Sequence, residues 1–187
     1  MKNLNSPYVV EVFAYDDAEK EYTMELMDFS LDEYIKKNNS KLPKTERVGL
    51  VLQILKAFKY LSSKNILHRD VSPKNILLRK YEDVIVVKLS DFGLVKIPDS
   101  ELTSMDTDIK GYFNDPRLVT DGFDSYEFHH EVYAITKIIY FVMTGKTNTA
   151  KLESSEFNSF IAVGLNSNTQ ERYKSVNDIV SKFREVT

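Results

Sequence analysis

His68-Arg69-Asp70-Val71-Ser72-Pro73-Lys74-Asn75, followed by Asp91-Phe92-Gly93, decides how the chain is read. Asp70 is a carboxylate suited to orient an attacking hydroxyl or accept its proton. Asn75 stands five positions on, a spacing that a tight loop folds back towards the same site. Asp91 ends a β-branched run from Val84 to Ser90, so it projects from a strand end, where Mg²⁺ can bridge phosphate oxygens. Phosphoryl transfer needs mostly positioning and charge neutralisation, and this set of groups offers both.

Taken in order, with a short strand-turn-strand between them, these two motifs resemble the catalytic loop and magnesium loop of eukaryotic-type protein kinases. Each tripeptide alone is a weak signal, and the ordered set is a strong one. A solvated acidic turn with a chance Asp-Phe-Gly does not explain why the flanking segments also fall into place.

The chain has 187 residues, of which 42% are hydrophobic and 28% charged, which predicts a folded domain with a real core. A net charge of -3 argues against a general nucleic-acid or anionic-membrane binder. There is no Cys, hence no disulfide framework and no thiolate metal site. The N-terminus lacks a signal pattern, and the longest apolar run, Ile138 to Met143, is too short to span a bilayer. A cytoplasmic setting is the expectation.

Tyr8 to Phe13 and Glu21 to Met27 read as two strands about a charged turn, Asp16 to Lys20. Ser30-Leu31-Asp32-Glu33 has capping-box spacing and opens a short helix to about Lys37. Beyond Pro43, Leu50, Val51, Ile54, Leu55, Phe58 and Leu61 recur at helical spacing, a stripe assigned to the core. Ile76 to Leu78, a turn at Lys80 to Asp83, and Val84 to Leu89 make a hairpin with Asn75 at one end and Asp91 at the other. Glu127 to Thr144 reads as a buried helix closed by Gly145, Phe157 to Val163 as a shorter one, and Ser175 caps a last helix through Phe183. His129-His130 is read as structural, because neighbouring histidines on a helix point different ways and no third ligand accompanies them.

The resemblance implies an α+β fold, predominantly α. Residues 1–28 would be an N-lobe remnant and hinge, and residues 29–187 a kinase C-lobe. It places Met24 at the gatekeeper position, the backbone of Glu25 and Met27 against the adenine edge, and Leu77 at the floor of the adenine pocket. Asn75 and Asp91 become metal ligands and Asp70 the hydroxyl-orienting base. The polar residues 94–115 resemble an activation segment, a long loop of the kind that is usually functional or disordered. Arg69 beside Asp70 suggests that a phosphate on Thr103 or Thr107 would pair with its guanidinium.

Departures from the family pattern set further expectations. Ser72 stands where Ser/Thr kinases usually carry Lys, and Lys74 is positioned to supply that cation, which leaves Ser/Thr against Tyr preference open. Glu131 replaces the usual Asp that receives the catalytic-loop backbone. Arg117 stands where the family keeps the Glu partner of Arg172, so that another acid such as Glu171 must help or the contact is absent. Nothing before Tyr8 reads as a glycine-rich loop, a lysine strand or the helix bearing that lysine's partner. The expectation is therefore an N-terminally truncated protein kinase catalytic domain, using ATP and Mg²⁺ to phosphorylate a protein hydroxyl, Ser/Thr favoured over Tyr. By itself it would be inactive, its residues 8–27 covered by a missing N-lobe or a protein partner. The alternative is a pseudokinase or interaction scaffold without catalysis.

Overall fold

Serines, a left-handed glycine and apolar spacing set most of the element boundaries. The computed structural model describes residues 6–16, 18–19, 21–92, 112–150, 152 and 155–187. Strands β1 (Val12–Asp16) and β2 (Glu21–Met24) pair antiparallel, with a register shift between Val12 and Ala14. A second antiparallel sheet runs in the order β3 (Phe29–Ser30), β4 (Ile76–Tyr81), β5 (Val84–Leu89). Around it lie helices α1 (Leu31–Asn38), α2 (Lys44–Ser63), α3 (Leu118–Asp121), α4 (Phe128–Thr144), α5 (Glu156–Gly164) and α6 (Val176–Glu185). This is the predominantly helical α+β arrangement expected of the sequence.

Ser30 opens α1 with a reciprocal capping box: its hydroxyl accepts from Glu33 N, while the Glu33 carboxylate accepts from Ser30 N at 2.9 Å. Ser175 caps α6 one way only, its hydroxyl accepting from Asp178 N. Gly145 closes α4 with φ +70, and a Cβ there would meet the Asn39 side chain at 2.2 Å. The hairpin between β4 and β5 turns through Glu82, which takes φ +50.

α4 is buried on nearly every side, its polar His130, Glu131, Thr136 and Lys137 included. Ile135, Ile138 and Phe141 join Leu50, Ile54 and Phe58 of α2, with Ile179 and Phe183 of α6, in one core. Buried Arg47 ties three elements together, donating to Val142 O at 2.6 Å, to Asn39 O and to Leu42 O. Lys137, buried on α4, donates to Thr147 O at 2.7 Å. Among the described residues no helix is long and apolar enough to cross a membrane.

Three expectations are corrected. Tyr8 to Val10 does not begin a strand of the first sheet. Val9 bridges Leu89 in parallel, Val10 N donates to Leu89 O, and Leu89 N donates to Tyr8 O, because Val9 and Val10 are buried against the second sheet. β1 therefore starts at Val12, and β2 ends at Met24 rather than Met27. Arg172 does find its acid, and that acid is Asp115, not Glu171. The pair is buried, and Arg172 also donates to His129 O at 2.9 Å. Moving the carboxylate two residues towards the N-terminus frees Arg117, which turns to Ser167 O and Asp121 at the surface. Finally, the rings of His129 and His130 do not diverge: they lie 3.9 Å apart, His130 turning back to accept from Glu127 N. Among the described residues no group of three His, Asp or Glu is placed for a metal.

Candidate active site

The core helices set the position of the loop that carries the motif. α2 ends at Ser63, Asn65 takes φ +55, and the chain turns into residues 66–75 before entering β4. His68 is buried between the rings of Phe58 and Phe92, and its Nε2 donates to Ser90 O at 2.9 Å. That bond fixes Nε2–H as the protonated nitrogen and leaves Nδ1 an acceptor towards Asp70 N at 3.4 Å. Burial pushes the His68 pKa down, so the ring stays neutral.

Glu131, near the start of α4, holds the loop from beneath. Its two oxygens accept from His68 N at 3.0 Å and from Arg69 N at 3.1 Å, and Tyr126 adds its hydroxyl at 3.2 Å. The glutamate in place of the usual aspartate thus makes both backbone contacts. Burial raises its pKa to about 7, against the pull of these donors and of the Arg69 guanidinium.

Arg69 takes φ +67, and its side chain is buried in the body. Its guanidinium carbon lies 4.6 Å from the Phe123 ring centroid, and Nη2 donates to Phe123 O at 2.8 Å. Nε and Nη1 are buried without a hydrogen-bond partner among the described residues. Thr103 and Thr107 lie outside the described residues.

Asp70 and Asn75 meet across the loop. Asn75 Nδ2 donates to the Asp70 carboxylate at 2.8 Å and to Asp70 O at 2.9 Å. The Asn75 carbonyl accepts from Ser90 N at 2.9 Å and from Ser90 Oγ at 3.0 Å, so the start of β4 is tied to the residue before Asp91. Asp91 is exposed and takes φ +57. Asp70 and Asn75 are thus hydrogen-bonded to each other and tied through Ser90 to the residue before Asp91, with left-handed backbone at Arg69 and at Asp91.

Beside it opens a cleft of about 520 Å³ between the connection from β2 to α1 and the start of β4. Met24, Glu25, Met27 and Leu77 all line it, and so does exposed Lys74, with Leu26, residues 28–30, Asp32 and Glu33 completing the rim. Asp70, Asn75 and Asp91 are not among its lining residues, but Asn75 lies in the chain between Lys74 and the start of β4. Sequence reasoning missed the groups that fix this rim: Lys88, which pairs with Glu25, and Arg79 and Lys80, which hold Leu26 O and Asp28. A lysine in a short strand reads as solvent-facing, and its only signal was an unpaired cation opposite an acidic linker.

A profile of the protein kinase domain matches residues 1–186. Dual specificity mitogen-activated protein kinase kinase mek-1 of Caenorhabditis elegans is 31% identical over 148 residues, which are 77% of this chain and 42% of that protein. Probable serine/threonine-protein kinase nek3 of Dictyostelium discoideum is 34% identical over 110 residues, 58% of this chain and 10% of that protein. The chain thus spans less than half the length of either relative. Among solved structures, the Rad53 kinase domain with SCD2 superposes with a TM-score of 0.76 at 20% identity, over 97% of this chain and 71% of that one. The same kinase domain in complex with AMPPNP gives a TM-score of 0.74. With residues 1–186 inside the profile and the fold shared with kinase domains, this protein belongs to the protein kinase domain family.

Proposed function

We propose that this chain is the catalytic lobe of a protein kinase that transfers phosphate from ATP to a Ser or Thr hydroxyl of a protein, with Mg²⁺. The observation that carries the reading is the link from the Asp70 carboxylate through Asn75 to Ser90, which holds Asp91 close by. Asp70 orients the incoming hydroxyl and accepts its proton, while Asn75 keeps that carboxylate in place. Asn75 Nδ2 is committed to Asp70, which turns the amide oxygen to the task of holding a hard cation, with the Asp91 carboxylate as the second oxygen donor. Two such oxygen donors suit Mg²⁺, which takes few protein ligands beside phosphate oxygens and, when bound, neutralises charge on the phosphate chain. Lys74 adds a positive charge towards the transferred group. Met24 and Leu77 enclose the adenine, and the backbone of Glu25 and Met27 meets its edge; the AMPPNP complex of the Rad53 kinase domain supports a nucleotide in this cleft.

The two nitrogens of Arg69 that have no hydrogen-bond partner among the described residues suit a phosphate on Thr103 or Thr107. Replacing both threonines with Ala and finding unchanged activity disposes of that part. Residues 1–28 act as the N-lobe portion and hinge and residues 29–187 as the C-lobe. The exposed side chains of β1 and β2 are covered by further N-lobe polypeptide or by a protein partner. A cytoplasmic setting accompanies this reading.

The test is transfer of labelled phosphate to a protein acceptor by the protein isolated from its native cell. Asp70→Ala is expected to lower the rate by roughly a thousandfold or more. Transfer that persists in Asp70→Ala overturns the assignment, and absence of transfer by the unmodified protein favours a scaffold.

A further inference from the structure

The connection from Glu25 to Asp28 is gripped along its length by side chains of β4 and β5. Lys88 Nζ pairs with Glu25 Oε1, and that same oxygen accepts from Glu11 N at 2.8 Å. Glu25 N in turn donates to Glu11 O at 2.9 Å. Both charged side chains are largely shielded, Lys88 at 16% and Glu25 at 17% exposure, so the pair is screened less than a surface pair. At the other end, Arg79 donates to Leu26 O, and the Asp28 carboxylate accepts from Lys80 N at 2.8 Å.

Lys88 occupies a particular place in the sheet. It faces Leu77 of β4, which lines the cleft, and it precedes Leu89, which exchanges backbone bonds with Tyr8 and Val10. Three residues beyond Lys88 the chain reaches Asp91. One side chain therefore links the rim of the cleft, the segment entering β1, and the strand that ends at Asp91. β1 and β2 bury little of themselves, so their placement depends on such links.

We propose that the Glu25–Lys88 pair is a strut that sets the cleft rim against the strand leading to Asp91, and that Lys88 is a positioning residue for recognition of the purine base. The proposal rests on the nucleotide reading of the cleft. Without the ammonium, the Glu25 carboxylate loses its charge partner at a shielded site and turns to water, releasing the Glu11 N–H. The backbone of Glu25 to Met27 then shifts relative to Leu77, and edge-on hydrogen bonding that distinguishes one purine from another is lost first.

The experiment compares Lys88→Met and Lys88→Arg in the full 187-residue chain by two readouts. Amide hydrogen exchange at Glu11 and Glu25 is expected to quicken roughly tenfold in Lys88→Met and to stay near the parent in Lys88→Arg. Unchanged exchange at Glu11 in Lys88→Met overturns the strut, whether or not any nucleotide binds. Titration with fluorescent ATP and GTP analogues is expected to show the preference for ATP falling roughly tenfold in Lys88→Met and recovering in Lys88→Arg. An equal loss for both nucleotides marks a pair that only stabilises the fold and overturns the positioning role. Failure of the unmodified chain to bind either analogue counts against the nucleotide reading of the cleft, and exchange at Glu11 then decides the strut by itself.

Discussion

In α4, Ile135, Ile138 and Phe141 are at most 1% exposed, whereas Phe13 and Tyr15 of β1 are each 61% exposed and Leu26 beyond β2 is 75% exposed. Both regions are rich in apolar and aromatic residues, yet only one of them is closed by its own chain. The α4 side chains meet α2 and α5, and in this body Arg172 finds a buried partner in Asp115. β1 and β2 have one another, a stacked Tyr15–Tyr22 pair at 6.2 Å, and the links made by Val9 and Glu25. A two-stranded sheet is marginal alone, because its outer edges and faces lack partners. The helical body therefore stores its stability internally, while the strand pair offers a surface.

That contrast can be broken or sharpened by measurement. The largest effect is expected from Arg172→Ala, which leaves the Asp115 carboxylate buried and unpaired; urea unfolding should show a loss of about 3–5 kcal/mol. A loss below about 1 kcal/mol would mean that water reaches Asp115 and that the body is less closed than its contacts imply.

Gly164→Ala comes next. A Cβ there would lie 2.1 Å from Thr136 Oγ1 and 2.7 Å from Cγ2, so α5 must move off α4, at a cost of about 1–3 kcal/mol. Combining it with Thr136→Ala should return part of that loss, because the two positions share one contact. Strict additivity would place the strain elsewhere.

Glu131 gives a pH signature. Its folded pKa, pushed up to about 7 by burial, exceeds the ordinary carboxylate value of 4.5, so the folded state holds this proton more tightly than the unfolded state. The contribution of Glu131 to stability is then full below pH 4.5 and is lost as pH rises to about 7. Relative to Glu131→Gln, the parent should lose stability across that interval by up to about 1.4 kcal/mol per pH unit. Parallel curves for the two proteins would show that the carboxylate stays ionised in its site.

The smallest effect is expected where the side chains are most exposed. Phe13→Ser and Tyr15→Ser should each change the stability of this chain by no more than about 0.5 kcal/mol. A larger loss would show that this face is packed within the chain itself, and the contrast between the two regions would fall.

Much of this architecture was legible locally. Ser30 with Glu33, Ser175 and Gly145 mark helix ends through contacts within four residues, and the α2 stripe declares its buried face by spacing alone. Asp70 and Asn75 share one short loop, so their meeting required no knowledge of the rest of the chain. Partner choice over long range was not legible. Arg172 meets Asp115 because the turn before α3 carries that carboxylate into the core, while Arg117 at the family's acid position points outward. Tyr8 to Val10 looked like the start of a hairpin strand, since alternation and β-branching do not say which sheet receives a segment.

The sequence by itself therefore determined the family, the helix ends, the buried stripes and the loop that joins Asp70 to Asn75. Each of these depends on residues near in the chain or on motifs in order. The tertiary structure alone decided that Glu131 reaches two backbone amides, that Arg69 donates to Phe123 O, and that Lys88 grips Glu25. Those contacts join residues separated by up to 63 positions, and their distances are set by how α2, α4 and the second sheet pack, not by any local pattern.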